Sequence, residues 1–280
     1  MTGSEAWVFG GGGVAGIAWI TGMLAGFADA GRDTGGAGLV VGTSAGAAVA
    51  AQVTSGLPIE ELYQRQHDPA KQATEIVAVL DVENVGAEFA ALLDGVTSPE
   101  DASRRLGSFA LKADTVSEAE RRAVIESRLP VHQWPEQRLL LVAVDAESGE
   151  PRLFDRDSGA DLVDAVAASC AVPGVWPPVS IRGRRYVDGG VRSADNADLA
   201  ARYARVIVLS PFGTADPFPW TVKLAAVAEE LRAGGTRVDV FTPDEASTGA
   251  IGTNPLDPDT RTPAAEAGRA QGLREAARLE

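Results

Sequence analysis

Leu39-Val40-Val41-Gly42-Thr43-Ser44-Ala45-Gly46-Ala47-Ala48-Val49 decides how the chain is read. The apolar residues 39–42 predict a buried strand, and 44–54 predict a helix that starts without any intervening loop. A strand that turns straight into a helix belongs to a parallel sheet covered on both faces. The stretch before it repeats the unit: a strand over 6–9, the glycines 10–13, then a helix over 14–30. Both stretches are long and uncharged (6–28 and 34–59), which raises the question of membrane spans. Seven glycines in the first, four of them consecutive, speak against a span there, as do the Gly, Thr and Ser residues of the second. No Lys or Arg precedes Ala6, so the basic region of a signal peptide is missing. The expectation is a soluble, cytoplasmic protein.

Further along, residues 57–130 turn charged and helical. Ser98-Pro99-Glu100 places Pro at a first helical position, and Ser117-Glu118-Ala119-Glu120 reads as a capping box for a helix over 118–129. We read this region as a helical insertion packed on the sheet. Strand signals return at 139–144 and 152–154, paired across a turn at 147–149. A helix over 161–171, a strand over 184–187 and a helix over 196–203 follow. The segments 205–209, 221–233, 237–241 and 264–279 complete a strand–helix–strand–helix series, and the Pro-rich stretch 242–262 reads as a long surface connection. The expected architecture is a three-layer α/β/α fold with a mostly parallel central sheet. It forms one domain over 1–280, with the insertion at about 57–130 and a C-terminal strand–helix extension at about 205–280.

Composition narrows the partners. Lys and Arg number 25 against 39 Asp and Glu, a formal charge of −14. Such a chain repels phosphate backbones and anionic bilayers, so no nucleic acid is expected, and membrane contact is at most transient and peripheral. The single cysteine, Cys170, excludes an intrachain disulfide and a Cys-based zinc site. The only histidines are His67 and His132.

Three motifs carry chemistry. Gly11-Gly12-Gly13-Val14-Ala15-Gly16, between strand and helix, fits a dinucleotide loop. That reading, however, expects an acidic residue at the end of the second strand, where this chain has Thr43 and Ser44. Gly42-Thr43-Ser44-Ala45-Gly46 has the form of a nucleophile elbow, its serine exposed on a sharp turn at a helix N-terminus. A serine nucleophile needs a base. No histidine follows residue 132, and both histidines lie in stretches that read as locally satisfied, so a Ser–His–Asp triad is not expected. Tyr186-Val187-Asp188-Gly189-Gly190 supplies an aspartate at a strand end; alone it would be an ordinary Asp-Gly turn.

Read together, these motifs resemble the patatin-like phospholipase family, whose pattern is an N-terminal Gly-rich loop, a Gly-x-Ser-x-Gly elbow and a distant Asp-Gly-Gly. The approach Ala167-Ala168-Ser169-Cys170-Ala171-Val172-Pro173-Gly174 adds to the likeness, which covers about residues 5–212. The resemblance implies a patatin-like fold and a serine acyl-ester hydrolase of lipid metabolism. Ser44 would be its nucleophile, Asp188 its general base, and the amides of Gly11, Gly12 and Gly13 its oxyanion hole. Gly16, Gly42, Gly46, Gly189 and Gly190 would be motif glycines. It also implies an acyl lipid or ester as substrate and neither cofactor nor metal. The family usually has Arg or Lys where this chain has Ala15, and Cys170 stands where serine is more common, with packing as its expected role. Burial near Trp176 and Val187 is expected to raise the Asp188 pKa. Leu57, Ile59, Leu62 and the apolar positions of 76–93 are expected either to line an acyl channel or to be ordinary core. Two other readings stay open, a nucleotide-binding oxidoreductase and a catalytically silent lipid-binding relative.

Overall fold

The computed structural model describes residues 5–72, 75–76, 89–214 and 220–280. Its strands are β1 Glu5–Phe9, β2 Leu39–Thr43, β3 Leu139–Asp145, β4 Pro151–Phe154, β5 Val179–Ile181, β6 Arg184–Asp188, β7 Arg205–Leu209 and β8 Arg237–Phe241. Its α-helices are α1 Gly13–Asp29, α2 Ala45–Val53, α3 Ile59–Gln64, α4 Pro99–Ala110, α5 Glu118–Arg128, α6 Leu162–Ser169, α7 Leu224–Ala233, α8 Glu245–Ile251 and α9 Arg261–Glu275. All eight strands join one mixed, mostly parallel sheet, paired in the sequence β5-β6-β3-β2-β1-β7-β8 with β4 also on β3. Helices cover both faces, so the chain has an α/β fold.

Strand alternation builds the core. Trp7, Phe9, Val40, Ile207 and Leu209 face a layer formed by α1, α2, α6 and α9. Ala6, Val8, Val41, Val206 and Val208 face the opposite layer around α7. With both faces buried, the strands read as continuous apolar runs. A smaller cluster joins Ala102, Leu106 and Ala110 of α4 to Val144 and Val187.

The insertion is helical as expected, with α3, α4 and α5 in it and the capping box at Ser117 and Glu120 formed. Much of the 76–93 stretch lies outside the described residues. Leu62 is buried, and Ile59 packs on the main core; the core reading holds for both.

Three expectations are corrected. Residues 196–203 form no α-helix: Asn196 adopts a left-handed conformation, and only a 3-10 turn follows at Ala197–Ala200. Strand β5 was not foreseen, because its three residues directly after Pro177-Pro178 are too short to show a pattern. The 242–262 stretch lies at the surface as expected but is not a bare connection. It contains α8 and a 3-10 turn, and the Pro255 carbonyl accepts the Ala15 N–H at 3.0 Å. Proline lacks a donor but keeps its acceptor, so this backbone satisfies an orphan amide at the start of α1.

Helix α9 docks on α1 through glycines of both helices, a pattern the sequence did not advertise. A Cβ at Gly22 would stand 2.2 Å from the Ala265 carbonyl oxygen, and one at Gly272 would stand 2.3 Å from that of Met23.

Candidate active site

Strand register brings the two principal residues together. The Val40 N–H donates to Arg138 O, and the Ala146 N–H donates to Arg185 O, so the even-numbered residues of this stretch face both β2 and β6. The Asp145 N–H donates to Glu150 O, on the opposite edge, beside β4. Strands β2 and β6 therefore share one edge of β3 and run towards each other along it. Thr43 ends opposite Val142, and Asp188 ends opposite Ala143. Ser44 follows the one strand end and Asp188 forms the other.

The C-terminal end of α6 stitches this junction. Ser169 Oγ donates to the Val142 carbonyl at 2.6 Å and accepts the Ser44 N–H at 3.0 Å. The Asp188 N–H donates to Ala171 O at 2.9 Å. The Cys170 thiol donates to Ser44 O at 3.1 Å, and burial pushes its pKa up to about 12. It stays protonated and bonds the carbonyl of Ser44, which is more than the packing role expected of it. Asn196 adds a further tie, donating to Thr43 Oγ1 at 3.1 Å and to Ser193 O at 2.8 Å. Neither Ser169 nor Asn196 received a role in the sequence analysis: the one lay unremarked within the 167–174 stretch, and the other read only as a helix start.

Ser44 itself has φ 54° and ψ −119°, a conformation rarely held by a residue with a side chain. Gly46 explains how the turn closes, since a Cβ there would lie 2.0 Å from Phe9 O. A Cβ on Gly42 would come within 2.6 Å of the α2 backbone, and Gly16 lies tight against Pro211 and Ala45. Helix α2 begins at Ala45, so the positive end of its dipole lies at the hydroxyl.

Asp188 is 4% exposed. Its Oδ1 accepts the Gly190 N–H at 2.7 Å, whereas Oδ2 is buried and, the neighbouring Ser44 hydroxyl apart, has no hydrogen-bond partner among the described residues. Burial raises the carboxyl to about 6, even though the Ser44 hydroxyl, the Gly190 amide and the positive charge of Arg121 all pull it down. Gly189 lets the chain turn against Val142 O, where a Cβ would come within 2.4 Å.

The N-terminal glycines divide in role. Gly11 gives its N–H to Ala194 O at 2.8 Å, which leaves that amide engaged. Gly12 and Gly13, where α1 starts, keep their N–H groups without a partner among the described residues. Gly13 sits at φ 62°, and a Cβ on it would strike Pro255 O at 2.5 Å.

A cavity of about 390 Å³ opens on Ser44, Asp188, Gly12 and Gly13, with mainly apolar walls that include Leu106, Val191 and Leu256. Neither histidine lines it. His67 Nδ1 bonds Tyr63 O, and His132 Nε2 bonds Glu126 O.

The sequence matches the family described as patatin-like phospholipase over residues 7–201. The chain belongs to the patatin-like phospholipase family. No curated protein matches it. Among solved structures, VipD from Legionella pneumophila is similar at 14% identity and a TM-score of 0.47, over 98% of this chain and 66% of that one. The type III effector ExoU gives 15% identity and 0.40, over 98% and 53%. Human GIVD cytosolic phospholipase A2, solved with methyl gamma-linolenyl fluorophosphonate, gives 12% and 0.37, over 99% and 60%. The chain thus spans between about half and two thirds of the length of these structures. In this patatin-like chain, no helix among the described residues is long and apolar enough to cross a membrane.

Proposed function

We propose that this chain is a serine acyl-ester hydrolase working through a Ser44–Asp188 dyad. The observation that carries the reading is the buried carboxyl of Asp188 beside the Ser44 hydroxyl, its Oδ2 taken by no other group among the described residues, with both residues facing a largely apolar cavity. A carboxylate at the usual value near 3.8 is a poor base for a serine hydroxyl, and one raised to about 6 is better matched to neutral pH while still ionised there.

Ser44 Oγ attacks the ester carbonyl carbon while its proton passes to Asp188. The carbonyl electron pair moves onto oxygen, where the free amides of Gly12 and Gly13 receive it. As the intermediate collapses, the C–O bond to the alcohol breaks, Asp188 returns the proton to the departing alkoxide, and Ser44 is left acylated. A water then attacks the acyl carbon, giving its proton to Asp188, which hands it to Ser44 Oγ as the free acid leaves. Each oxyanion donor of this kind contributes about 2.7–4 kcal/mol to the transition state. The acyl group occupies the 390 Å³ cavity, whose size is in the range of small-molecule sites.

A series of 4-nitrophenyl acyl esters tests this. The chain is expected to hydrolyse them, with Ser44→Ala reducing kcat/KM by about 10⁴-fold or more. Equal hydrolysis by the two proteins would overturn the reading.

A further inference from the structure

A second, smaller chamber also borders Ser44 and is lined by Glu75, Arg121, Arg128, Cys170 and Trp176, among others. It holds about 20 Å³, somewhat more than the ~10–15 Å³ that one water requires. The two cavities share Gly13, Ser44, Val172 and Leu256, so they meet at the nucleophile.

The chamber is cationic in a chain of net charge −14. Arg128 and Arg261 both hold Glu75: Arg128 Nε at 3.0 Å and Nη2 at 2.5 Å, and Arg261 Nη2 at 2.8 Å. Both carboxylate oxygens are thereby occupied. Arg121 comes from α5, is 5% exposed, and stacks on Trp176 with its guanidinium carbon 3.7 Å from the ring centre. Its Nε and Nη1 are buried and make no hydrogen bond among the described residues. A guanidinium cannot shed its charge at neutral pH, and burying donors without acceptors is costly, so this geometry fits a site completed by an incoming anion. Aromatic stacking fixes the plane of the group in advance.

We propose that Arg121 recognises a carboxylate carried on the alcohol side of the ester substrate, close to the scissile bond. A carboxylate is the most compact of the common anionic groups and suits a small chamber, and Arg121 and Ser44 lining that chamber limit the link to a few atoms. The preferred substrate class is thus acyl esters of small hydroxy acids, with the acyl chain in the apolar cavity and the charged end in the cationic chamber. This inference rests on the hydrolase reading above.

Hexanoyl glycolate and hexanoyl glycolamide carry the same acyl chain and differ in the charge of one group. The unsubstituted protein should prefer the glycolate in kcat/KM by roughly ten- to a hundredfold, as expected for hydrogen bonds to a charged group. Arg121→Met should bring that ratio to about one, and Arg121→Lys should keep part of it. Should Arg121→Met fail to fold, acetate must still slow fluorophosphonate labelling of the unsubstituted protein at Ser44, where acetamide at matched ionic strength does not. Equal rates on the two esters, a preference surviving Arg121→Met, or indifference to acetate would each overturn the inference. Loss of both labelling and hydrolysis in the unsubstituted protein would instead overturn the hydrolase reading beneath it.

Discussion

The strand junction and the arginine chamber both border Ser44, but they are assembled differently. At the junction, backbone does the placing. Two strand ends meet on one edge of β3, and Ser169, Cys170 and Ala171 hold the ends with hydrogen bonds. Its charged member, Asp188, has no ion-pair partner in contact among the described residues and is raised to about 6, the more distant pull of Arg121 notwithstanding. In the chamber, side chains do the placing. Arg121 and Arg128 reach in from α5, and the one carboxylate of the lining, Glu75, is shared between Arg128 and Arg261, the latter from the start of α9. Burial alone would push Glu75 up, but the surrounding guanidiniums outweigh it and hold the carboxyl below the ordinary glutamate range. One region isolates a charge so that it can accept a proton; the other pools charges so that they stay ionised.

Asp188→Asn attacks that contrast most strongly. Removing the base should lower kcat by about 10²–10⁴-fold. The same change should stabilise the fold at neutral pH, because a buried carboxylate raised from 3.8 to about 6 opposes folding when ionised, by on the order of 3 kcal/mol. The sign is specific. Between about 6 and 3.8 the native state binds the proton more tightly than the unfolded chain, so wild-type stability falls as pH rises through that window. The advantage of Asn should be full above about pH 6 and vanish below 3.8, as read by thermal melts of the two proteins at several pH values.

Glu75→Gln probes the other region. It leaves Arg128 and Arg261 buried without their counter-charge, and denaturant titration should show a loss of about 3–5 kcal/mol. A near-neutral outcome would mean that the chamber tolerates unbalanced cations.

What could be read in the sequence follows the same division. Ser44 and Asp188 were visible because each lies in a short contiguous motif whose glycines are dictated by local geometry: Gly46 under Phe9 O, and Gly189 against Val142 O. The parallel strands were visible because burial on both faces makes them uniformly apolar. The chamber was not visible, since Glu75, Arg121 and Trp176 are far apart in the chain and converge only once the insertion has docked. The 242–262 stretch was misread in part for a related reason: prolines suggest a bare connection, whereas the carbonyl of Pro255 closes the start of α1. The division of labour among the three glycines also needed coordinates, because only the bond from Gly11 to Ala194 O separates it from Gly12 and Gly13.

Ser169→Ala is the mildest test of the junction. It removes the acceptor for the Ser44 N–H and the donor to Val142 O, and the loss should be about 1–3 kcal/mol. A drop in kcat beyond that expected from partial unfolding would tie the stitch to the pose of the nucleophile.

The most direct test of the dyad is the pH dependence of labelling by a neutral fluorophosphonate, followed by intact mass and located by peptide mapping. The account predicts one adduct, on Ser44, forming at a rate that rises with pH through an apparent pKa of about 6 and then levels. Asp188→Asn should label far more slowly and without that rise. An adduct on another residue, a wild-type rate that is flat across pH 6, or equal labelling of Asp188→Asn would contradict the assignment of Asp188 as the base for Ser44.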